Sequence, residues 1–473
     1  MSRFNTPTPG TKTVNKAGGE AYTQSYELEL VSVLLTSFAN DTFYEKAEDK
    51  FDRLKDLIKH VDPLFAAKAA VFARKEFGMR SITHVLACEL APYVSKNIWG
   101  KNFYEQVINR PDDMTEIISY MIASKQKVPN AMKKGFAAAF NRFDAYALSK
   151  YRMEGKAVKL IDVVNLVHPK ATEKNTAALK GLVEGTLKSV DTWEAKLTEA
   201  GKAEGDTITN KKEAWTEMIT SGKLGYFALL KNLRNILESA PELTDAVCLQ
   251  LTNRDKIKKS LVLPFRFFTA IKELEQLPNS RNLVAAIGRA AEISLDNVPS
   301  LPGKTLIAVD VSGSMNGKPQ EIARMFGAVL YKKCDSNLLT FDDRARFITL
   351  NPDDSLLGLM DRIPFTGGGT NFNSIFDALT GPVERIVILS DMQAWMNSGW
   401  GSNNPRDSFN SYKARTLANP KVYSFDLNNY GSMQFPEQNV FCLAGFSDKI
   451  FSIMTVLEED RNALINKINS VEL

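Results

Sequence analysis

A short apolar segment followed by alternating oxygen-bearing residues most constrains the fold of this chain. Leu306–Val309 form an apolar run that is typical of a strand buried in a parallel sheet. Asp310, Ser312 and Ser314 follow at every second position, and Pro319 is well placed to begin a helix. A strand–loop–helix unit of this kind directs oxygen atoms outward from the carboxyl edge of a sheet, where ligands bind in such folds.

Two later segments place more oxygen ligands in the same context. Thr370 ends a glycine run at 367–369, and Asp391 follows the apolar segment 386–390. Because the carboxyl ends of parallel strands meet at one edge of a sheet, we expect these side chains to approach Asp310. Hydroxyl and carboxylate oxygens are the ligands that octahedral Mg²⁺ takes. The sequence therefore predicts a divalent-metal site, with Mg²⁺ favoured, formed by Asp310, Ser312, Ser314, Thr370 and Asp391.

The segments DVSGS, GGGT and SD, in this order, resemble the metal-ion-dependent adhesion site (MIDAS) of the von Willebrand factor A domain. The resemblance implies a metal site with an open coordination position that recruits a carboxylate from a protein partner. The alternative is local: the two serines cap a helix and the aspartate closes a turn, without an ion.

Strands and helices alternate beyond a joint at Pro299–Gly303, and this order favours a doubly wound α/β sheet. We predict strands at Thr305–Asp310, Asn337–Phe341, Phe347–Leu350, Glu384–Ser390, Val422–Leu427 and Val440–Leu443. We predict helices from Pro319 to about Lys333 and at about Asp353–Arg362, Asp407–Leu417, Ser447–Leu457 and Glu459–Asn469.

Residues 25–298 show a helical pattern almost throughout, with apolar residues at spacings of three and four. Such segments include Glu27–Phe38, Glu45–His60, Asp62–Phe77, Ile82–Val94, Thr115–Ser124 and Tyr226–Leu237. Short antiparallel helices in series predict a solenoid of helix pairs, although no fixed repeat length is apparent. Residues 1–24, rich in Thr, Pro, Gly and Lys, are interpreted as an arm rather than a packed element. The predicted parts are therefore an arm (1–24), a helical domain (25–298) and an α/β domain (299–473).

Composition is ordinary for a soluble chain of two or three domains, with 473 residues, 44% of them hydrophobic and 24% charged. No uncharged apolar stretch reaches about 18 residues, and the N-terminal segment lacks an apolar signal core. The four cysteines, at 88, 248, 334 and 442, are far apart and indicate neither a zinc site nor a disulfide framework. We expect a reduced, cytoplasmic setting without membrane contact.

Positive charge is concentrated outside the predicted α/β domain. From Leu301 onward the chain has 16 basic and 19 acidic residues, whereas residues 1–300 have 43 basic and 36 acidic ones. The net charge of +4 therefore combines −3 in the second part with +7 in the first. A basic excess confined to the helical half indicates an anionic partner for that half.

The segment 121–160, the basic stretch, holds nine basic and two acidic residues. Its cationic side chains are Lys125, Lys127, Lys133, Lys134, Arg142, Lys150, Arg152, Lys156 and Lys159. Positive charge follows phosphates, and accessible aromatic faces can stack unpaired bases. Aromatic residues are interleaved at Phe136, Phe140, Phe143, Tyr146 and Tyr151. The alternative is that the three phenylalanines belong to the core and that the lysines form a solvated face.

Several ordered segments of the chain resemble the TROVE domain, the RNA-binding module of the Ro autoantigen and its bacterial relatives. Segment 14–25 (VNKAGGEAYTQS) is similar to the family's Glu–Gly–Gly–Thr–Tyr segment. Segment 143–170 is similar to its Lys–Tyr–Lys stretch and the following helix, although the ending is shortened to His168–Pro169–Lys170. Segments 226–236 (YFALLKNLRNI) and 263–271 (LPFRFFTAI) are similar to its core helix and its Pro–Phe segment.

The resemblance covers about residues 14–473 and implies a HEAT-like ring of helices followed by an A domain. In that family a positive central hole accepts single-stranded 3′ ends of defective RNAs, and the outer surface binds small non-coding Y RNAs. The positions that match RNA contacts are Lys150, Arg152 and His168, with Lys159 and Lys170 as neighbours of the right charge. Lys133 and Lys134 of the basic stretch complete the predicted RNA-binding set. His60 and His84 receive no role.

No set of paired, tuned groups for general acid–base catalysis is apparent, so we expect no enzymatic activity. The rival enzyme hypothesis is a phosphatase or nuclease that uses the same ion, with Asp342 and Asp343 as its only nearby carboxylates. A third hypothesis is a metal-dependent adaptor whose helical half contacts protein rather than RNA. Because the joint at 299–303 is short, we expect the two domains to pack within one chain as a monomer.

Overall fold

The computed structural model describes residues 12–14, 20–22, 25–36, 47–94, 97–188, 190, 192–204, 206–222, 224–392, 405–427, 439–444, 450–459 and 463–473. Two short strands, β1 (Lys12–Val14) and β2 (Glu20–Tyr22), pair antiparallel. This pairing lies within residues 1–24, the segment that the sequence predicts to be an arm.

Helices follow one another through the first half. They are α1 (Tyr26–Thr36), α2 (Ala47–Ile58), α3 (Pro63–Lys75), α4 (Ser81–Glu89), α5 (Ala91–Val94), α6 (Gly100–Val107), α7 (Pro111–Ala123), α8 (Asn130–Ala139), α9 (Ala145–Lys150), α10 (Leu160–Val167), α11 (Thr176–Val183), α12 (Trp193–Lys202), α13 (Thr207–Thr220), α14 (Tyr226–Lys231), α15 (Leu233–Ser239), α16 (Thr244–Leu251), α17 (Arg254–Ser260), α18 (Pro264–Glu275) and α19 (Arg281–Ser294).

Local sequence explains where individual helices begin and end. The Asp62 carboxylate caps α3 by accepting from the Leu64 N–H, and Gly78 takes the left-handed backbone, with φ +66°, after the helix. The predicted helix Ile82–Val94 is interrupted between α4 and α5, because Pro92 cannot donate to the carbonyl of Cys88. The predicted helix Tyr226–Leu237 is divided at Asn232, whose side-chain amide donates to the Ala228 carbonyl.

The second half forms the predicted α/β domain. Its elements are β3 (Thr305–Asp310), α20 (Lys318–Lys333), β4 (Ser336–Phe341), β5 (Ala345–Ile348), α21 (Leu356–Arg362), α22 (Asn373–Ala378), β6 (Arg385–Ser390), α23 (Pro405–Thr416), β7 (Lys421–Asp426), β8 (Val440–Ala444), α24 (Ile450–Glu459) and α25 (Ala463–Asn469). The strands follow their predicted positions within one or two residues. The short helix α22 is not among the predicted elements.

The strand order places a ligand crevice at the centre of the sheet. The order is β5-β4-β3-β6-β7-β8, and among the described strands of this sheet only β5 is antiparallel to its neighbour. The chain moves outward from β3 in one direction and then continues from β6 in the other. The carboxyl ends of β3 and β6 therefore form the switch point at which doubly wound sheets bind ligands. Both strands are buried along their whole length.

The α/β domain contacts both ends of the helical series. At the beginning, α1 packs against β8 and α24, and α25 packs against α3. At the end, α19 packs against α21. The Lys68 ammonium donates to the Asn469 carbonyl over 2.6 Å, and the Gln106 amide donates to the Glu472 carbonyl over 2.7 Å. The predicted fold is confirmed: a ring of helices is followed by a doubly wound A-type domain, and the two pack within one chain.

One apolar core continues from the helical half into the α/β domain. Phe265 of α18 lies 6.0 Å from Phe326 of α20 and 5.9 Å from Phe451 of α24, measured between ring centroids. Phe326 also contacts Phe451, with centroids 4.8 Å apart. All three rings are buried, so this aromatic cluster joins the two domains directly.

Replacing Phe265 with alanine tests this shared core. The substitution leaves a cavity between the domains, and we expect the free energy of unfolding to fall by about 3–5 kcal/mol. Urea denaturation followed by circular dichroism measures the change. Phe347→Ala, at a side chain that is 53% exposed, is the matched control and should change stability by less than about 0.5 kcal/mol. An unchanged urea denaturation midpoint for Phe265→Ala would contradict the conclusion that this aromatic cluster stabilises both domains.

Candidate metal centre and nucleic-acid interface

Backbone hydrogen bonds bring the predicted metal-binding loops together at the switch point of the sheet. The Gly313 N–H donates to the Gly368 carbonyl over 2.9 Å, and the Gly367 N–H donates to the Val311 carbonyl over 2.9 Å. A side chain at position 313 would place its Cβ 3.2 Å from the Gly367 carbonyl oxygen. Glycine therefore permits the close approach of the two loops.

Asp310 lies fully buried at the centre of this arrangement. Its Oδ1 accepts from the Ser312 N–H over 2.9 Å, and its Oδ2 accepts from the Ser390 hydroxyl over 2.5 Å. Burial raises the pKa of Asp310 to about 7, with a further contribution from the charge of Asp391, although the hydrogen bonds from Ser312 and Ser390 act to lower it. A buried carboxylate without a cationic partner in this set is the kind of group that a divalent ion stabilises.

The other predicted ligands differ in exposure. Ser312, Thr370 and Asp391 are each about 1% exposed, whereas Ser314 is exposed. The Ser312 and Ser314 hydroxyl oxygens lie 3.3 Å apart, as two hydroxyls that serve one ion would. Among the described residues, no group of three or more His, Cys, Asp and Glu side chains converges as a metal site. An ion here would therefore depend on hydroxyls together with the two carboxylates, and this oxygen set fits Mg²⁺.

Two polar residues at this edge were not in the predicted set. The Ser390 hydroxyl donates a hydrogen bond to the Asp310 carboxylate. In the sequence, its position as the last residue of a buried strand could have indicated this role. Asp426 ends β7, opposite Ser390 in the parallel pairing, and is fully buried. In the sequence, Asp426 lies near the end of a predicted strand, and this position could have indicated it.

Asp342 and Asp343, the carboxylates of the rival enzyme hypothesis, are held by hydrogen bonds in the loops. Asp342 accepts from the Thr366 hydroxyl over 2.6 Å and from the Arg346 guanidinium over 2.9 Å. Although burial opposes the change, these bonds lower the pKa of Asp342. Asp343 accepts from the Gly369 N–H over 2.9 Å. Both carboxylates thus position the glycine loop, and the lowered pKa of Asp342 does not suit that residue to act as a general base.

The predicted RNA-binding residues are distributed over several short elements. Lys134 is exposed and Lys133 half-buried on α8, and Lys150 is exposed at the end of α9. Lys159 is exposed just before α10, and His168 is exposed just after it in a left-handed backbone conformation with φ 49°. Lys170 is exposed in the following loop. Arg152 is half-buried and donates to the Leu187 carbonyl, so it also holds the chain together.

The interleaved aromatic residues divide into two groups. Phe136 and Phe140 are fully buried, and Phe143 is 6% exposed, so the alternative hypothesis of core residues is correct for the phenylalanines. Phe136 lies on the inward face of α8, and Phe140 and Phe143 pack inward from the 3-10 turn that follows the helix. Tyr146, in contrast, is 55% exposed, and Tyr151 is half-buried. Only the tyrosines offer accessible aromatic surface.

Lys150 lies between these two tyrosines. Its ammonium is 5.9 Å from the Tyr146 ring centroid and 5.6 Å from that of Tyr151. On Tyr151 the guanidinium of Arg110 also stacks, at 4.5 Å from the centroid. Cation–π contacts of this kind hold the positive charges beside aromatic faces. The group Arg110, Tyr146, Lys150 and Tyr151, here named the tyrosine–cation cluster, combines charge for phosphates with flat surface for bases.

A buried ion network fixes Arg110 in place. Its guanidinium donates to both carboxylate oxygens of Asp112, over 2.9 and 2.6 Å, and Asp112 also accepts from Arg80 over 2.6 Å. Asp113 beside it is fully buried and accepts from Arg74, Arg80 and His84 at 2.7, 2.8 and 3.1 Å. Burial would raise the pKa of Asp113, but these cationic and imidazole partners outweigh it and hold the pKa well below its usual range.

A pocket of about 220 Å³ opens beside Tyr146 and Lys150. Trp193, the first residue of α12, and Lys196 one turn later form part of its lining. Neither residue was in the predicted set, because contact between α9 and α12 cannot be read from a sequence without a repeat length. This pocket extends the aromatic and cationic surface of the tyrosine–cation cluster.

The helical half of the chain matches a known protein family. The sequence profile of the TROVE domain matches residues 22–204 and 184–294, which is more than half of the chain. The chain belongs to the TROVE domain family. The resemblance predicted from the sequence segments is therefore confirmed, and the tyrosine–cation cluster lies inside the matched TROVE region.

Two curated relatives align with different shares of this chain. RNA-binding protein RO60 of Deinococcus radiodurans is 21% identical over 506 aligned positions, covering 93% of this chain and 94% of that protein. Telomerase protein component 1 of Rattus norvegicus is 19% identical over 345 positions, covering 54% of this chain. The chain spans only 13% of the length of the telomerase component.

A solved structure shares the whole architecture of this TROVE protein. The crystal structure of the Deinococcus radiodurans RO (RSR) protein superposes with a TM-score of 0.65 at 19% identity, covering 94% of this chain and 100% of that one. At this identity the likeness establishes the common fold. Among the residues that the structure describes, no helix is both long and apolar enough to cross a membrane.

Replacing Asp310 with alanine tests the metal centre. We expect wild-type protein to gain thermal stability in Mg²⁺ or Mn²⁺, by about 2.7 kcal/mol at a hundredfold excess over Kd, because an ion that binds only the folded state stabilises it. Asp310→Ala should lose this gain while the helical half stays folded. Thermal unfolding with Mg²⁺ and with EDTA measures both. Asp377→Ala, at an exposed carboxylate of the same domain, should keep the gain. An Mg²⁺-dependent gain that persists in Asp310→Ala would disprove the assignment.

Replacing Asp113 with asparagine tests the buried ion network. Because the folded-state pKa of Asp113 is depressed, its contribution to stability is present above the unfolded pKa of about 3.9 and is lost as pH falls below it. We expect Asp113→Asn to cost about 3–5 kcal/mol at pH 7, since it leaves buried cations without their carboxylate, and to flatten the loss of stability below pH 4. Urea denaturation at several pH values measures both effects. Asp255→Asn, at an exposed carboxylate, is the control. Equal pH profiles for wild type and Asp113→Asn would contradict this account.

Proposed function

We propose that this protein binds single-stranded RNA through the basic surface of its helical half. The observation that carries the proposal is the tyrosine–cation cluster, in which the Lys150 ammonium lies between two tyrosine rings and Arg110 stacks on one of them. Cations neutralise phosphates, and the exposed face of Tyr146 can stack a base. Protein partners are less consistent with a surplus of seven positive charges in one segment of 40 residues.

The relatives support an RNA partner. The name of the Deinococcus relative describes an RNA-binding protein, and that protein aligns with almost the whole of this chain. By analogy with the TROVE family, we propose that the RNAs include small non-coding, Y-like RNAs and the single-stranded 3′ ends of misfolded RNAs. The set for this role is Lys133, Lys134, Lys150, Arg152, Lys159, His168 and Lys170, to which the geometry adds Arg110, Tyr146 and Trp193.

A second part of the proposal concerns the α/β domain. Asp310, Ser312, Ser314, Thr370 and Asp391 would hold Mg²⁺, and the bound ion would supply a positive charge that accepts a carboxylate oxygen from a protein partner. The convergence of the loops and the buried state of Asp310 support this role. A cytoplasmic monomer without catalytic activity, divided into an arm, a helical domain (25–298) and an α/β domain (299–473), stays our prediction.

Salt dependence of RNA binding tests the phosphate contact. Affinity for a single strand should fall with a log–log slope of about −0.7 per phosphate neutralised. Lys150→Ala should flatten this slope by about 0.7, because one phosphate keeps its counterions. Lys259→Ala, at an exposed lysine of α17, should leave it unchanged. Filter binding of a 12-nucleotide oligouridylate at several salt concentrations measures the slopes, and equal slopes for Lys150→Ala and wild type would count against the contact.

Stacking and topology give a second test. Tyr146→Ala should weaken binding by about 1–3 kcal/mol, because one base loses its aromatic platform. Tyr93→Ala, at a tyrosine that is 39% exposed on α5, is the control. If a strand end enters the ring, a hairpin RNA with an unpaired 3′ tail should bind much better than its circular form. Equal affinity for tailed and circular RNA, with no loss in Tyr146→Ala, would favour the protein-adaptor hypothesis.

A further inference from the structure

A second pocket lies in the part of the helical half that the predicted RNA-binding set does not reach. It has a volume of about 320 Å³ and lies between α14, α15 and α18. This volume is within the range of sites for small organic ligands, about 300–1,000 Å³. Its walls come from segments 226–236 and 263–271, which match family motifs but received no function from the sequence.

The charges around this pocket favour an anion. Lys231, Arg234 and Arg266 line it, and Glu273 is the one acidic side chain among its lining residues. Lys231 and Arg234 are exposed, and Arg266 is half-buried. Arg234 is paired with Glu238 at 2.9 Å, which leaves its planar guanidinium oriented along α15. With Glu238 counted beside Glu273, the three cations face two carboxylates, and the remaining net charge of +1 favours a phosphate group.

The remaining lining is suited to a flat, partly polar group. Phe227 is 41% exposed on the wall, while Leu230, Leu233 and Leu274 supply buried apolar surface. An exposed phenylalanine ring offers a face on which any nucleobase can stack. The exposed Asn235 amide provides a donor and an acceptor, and the Glu273 carboxylate can accept from a base N–H group such as N3–H of uracil. Phosphate, sugar and base thus each have a matching part of the pocket.

The position of the pocket connects it with the tyrosine–cation cluster. Leu224 and Gly225 line the pocket beside Tyr146 and Lys150, and Phe227, two residues further along, lines the second pocket. Two residues span at most about 7 Å. The linings of the two pockets therefore approach each other at the same end of α14.

We propose that this second pocket binds a nucleoside monophosphate group, supplied either by one nucleotide of a bound RNA strand or by a free nucleotide. The base stacks on Phe227, and the phosphate is neutralised by Lys231, Arg234 and Arg266. The strand form rests on the proposed RNA-binding function. An acidic peptide is the competing ligand, but it would leave the exposed aromatic face without a matching group.

Photocrosslinking tests the strand form on the full chain. A 12-nucleotide oligouridylate that carries 4-thiouridine is irradiated with the protein, and the crosslinked peptides are mapped by mass spectrometry. We expect crosslinks within 226–235 as well as near Tyr146, and Phe227→Ala should reduce the first at least fivefold while it keeps the second. Crosslinks near Tyr146 alone would overturn the strand form of the second pocket and leave the proposed function standing. Crosslinks at neither place would overturn both the strand form and the proposed function, and absence of uridine monophosphate binding as well would overturn the pocket altogether.

Affinity measurements complete the test. Phe227→Ala and Lys231→Ala, both at exposed positions, should each weaken oligouridylate binding about tenfold, whereas Tyr93→Ala and Lys259→Ala should not. Calorimetric titration with uridine monophosphate separates the two sources: binding that Lys231→Ala abolishes identifies a site for free nucleotide, and binding of the oligonucleotide alone identifies a strand site. Displacement of the oligonucleotide from the pocket by hexaglutamate, with no effect of Phe227→Ala, would overturn the proposal in favour of an acidic peptide.

Discussion

The contact of Phe265, Phe326 and Phe451 is the interaction on which the rest of the architecture depends. These rings come from the helical half, from the first helix of the sheet domain and from one of its last helices, and they share one buried cluster. An apolar cluster of this size cannot be exposed to water without a large loss of stability. The two halves are therefore held as one body, and the ring of helices is closed by a domain with a different architecture.

The two halves differ in how the charge of a buried aspartate is compensated. Asp113 is surrounded by arginines, a histidine and backbone N–H groups, so its charge is balanced within the protein. Asp310 receives only hydroxyl and backbone donors from the contacts described above, next to a second carboxylate. The first arrangement gives rigidity, and it fixes Arg110 under Tyr151. The second leaves a buried carboxylate without a cation among these contacts, and this is the electrostatic basis of the proposed metal site.

The sequence predicted most of the sheet and much less of the proposed RNA-binding surface. Asp310 follows an apolar strand, and the parallel-sheet rule alone locates it at a ligand-binding edge. Phe136 and Tyr146 are both aromatic residues among lysines, yet Phe136 is in the core and Tyr146 is exposed. The side of a short helix that faces the core depends on its tertiary neighbours, and these are not apparent from the sequence. Trp193 joins Tyr146 only through the packing of helices that are distant in sequence. Pro92 interrupts the helix that the apolar spacing of Ile82–Val94 predicts to be continuous.

The closing contact between α3 and α25 has a consequence for how the molecule is made. Lys68 and Asn469, which meet there, are separated by 401 residues. At a synthesis rate of about 5–20 residues per second, α3 is complete roughly 20 to 80 seconds before α25 leaves the ribosome. During that interval the apolar faces of α1 and α3 lack the strand and helices that later cover them. The growing chain therefore exposes these apolar faces until β8, α24 and α25 have been made, and exposed apolar surface of this kind promotes aggregation.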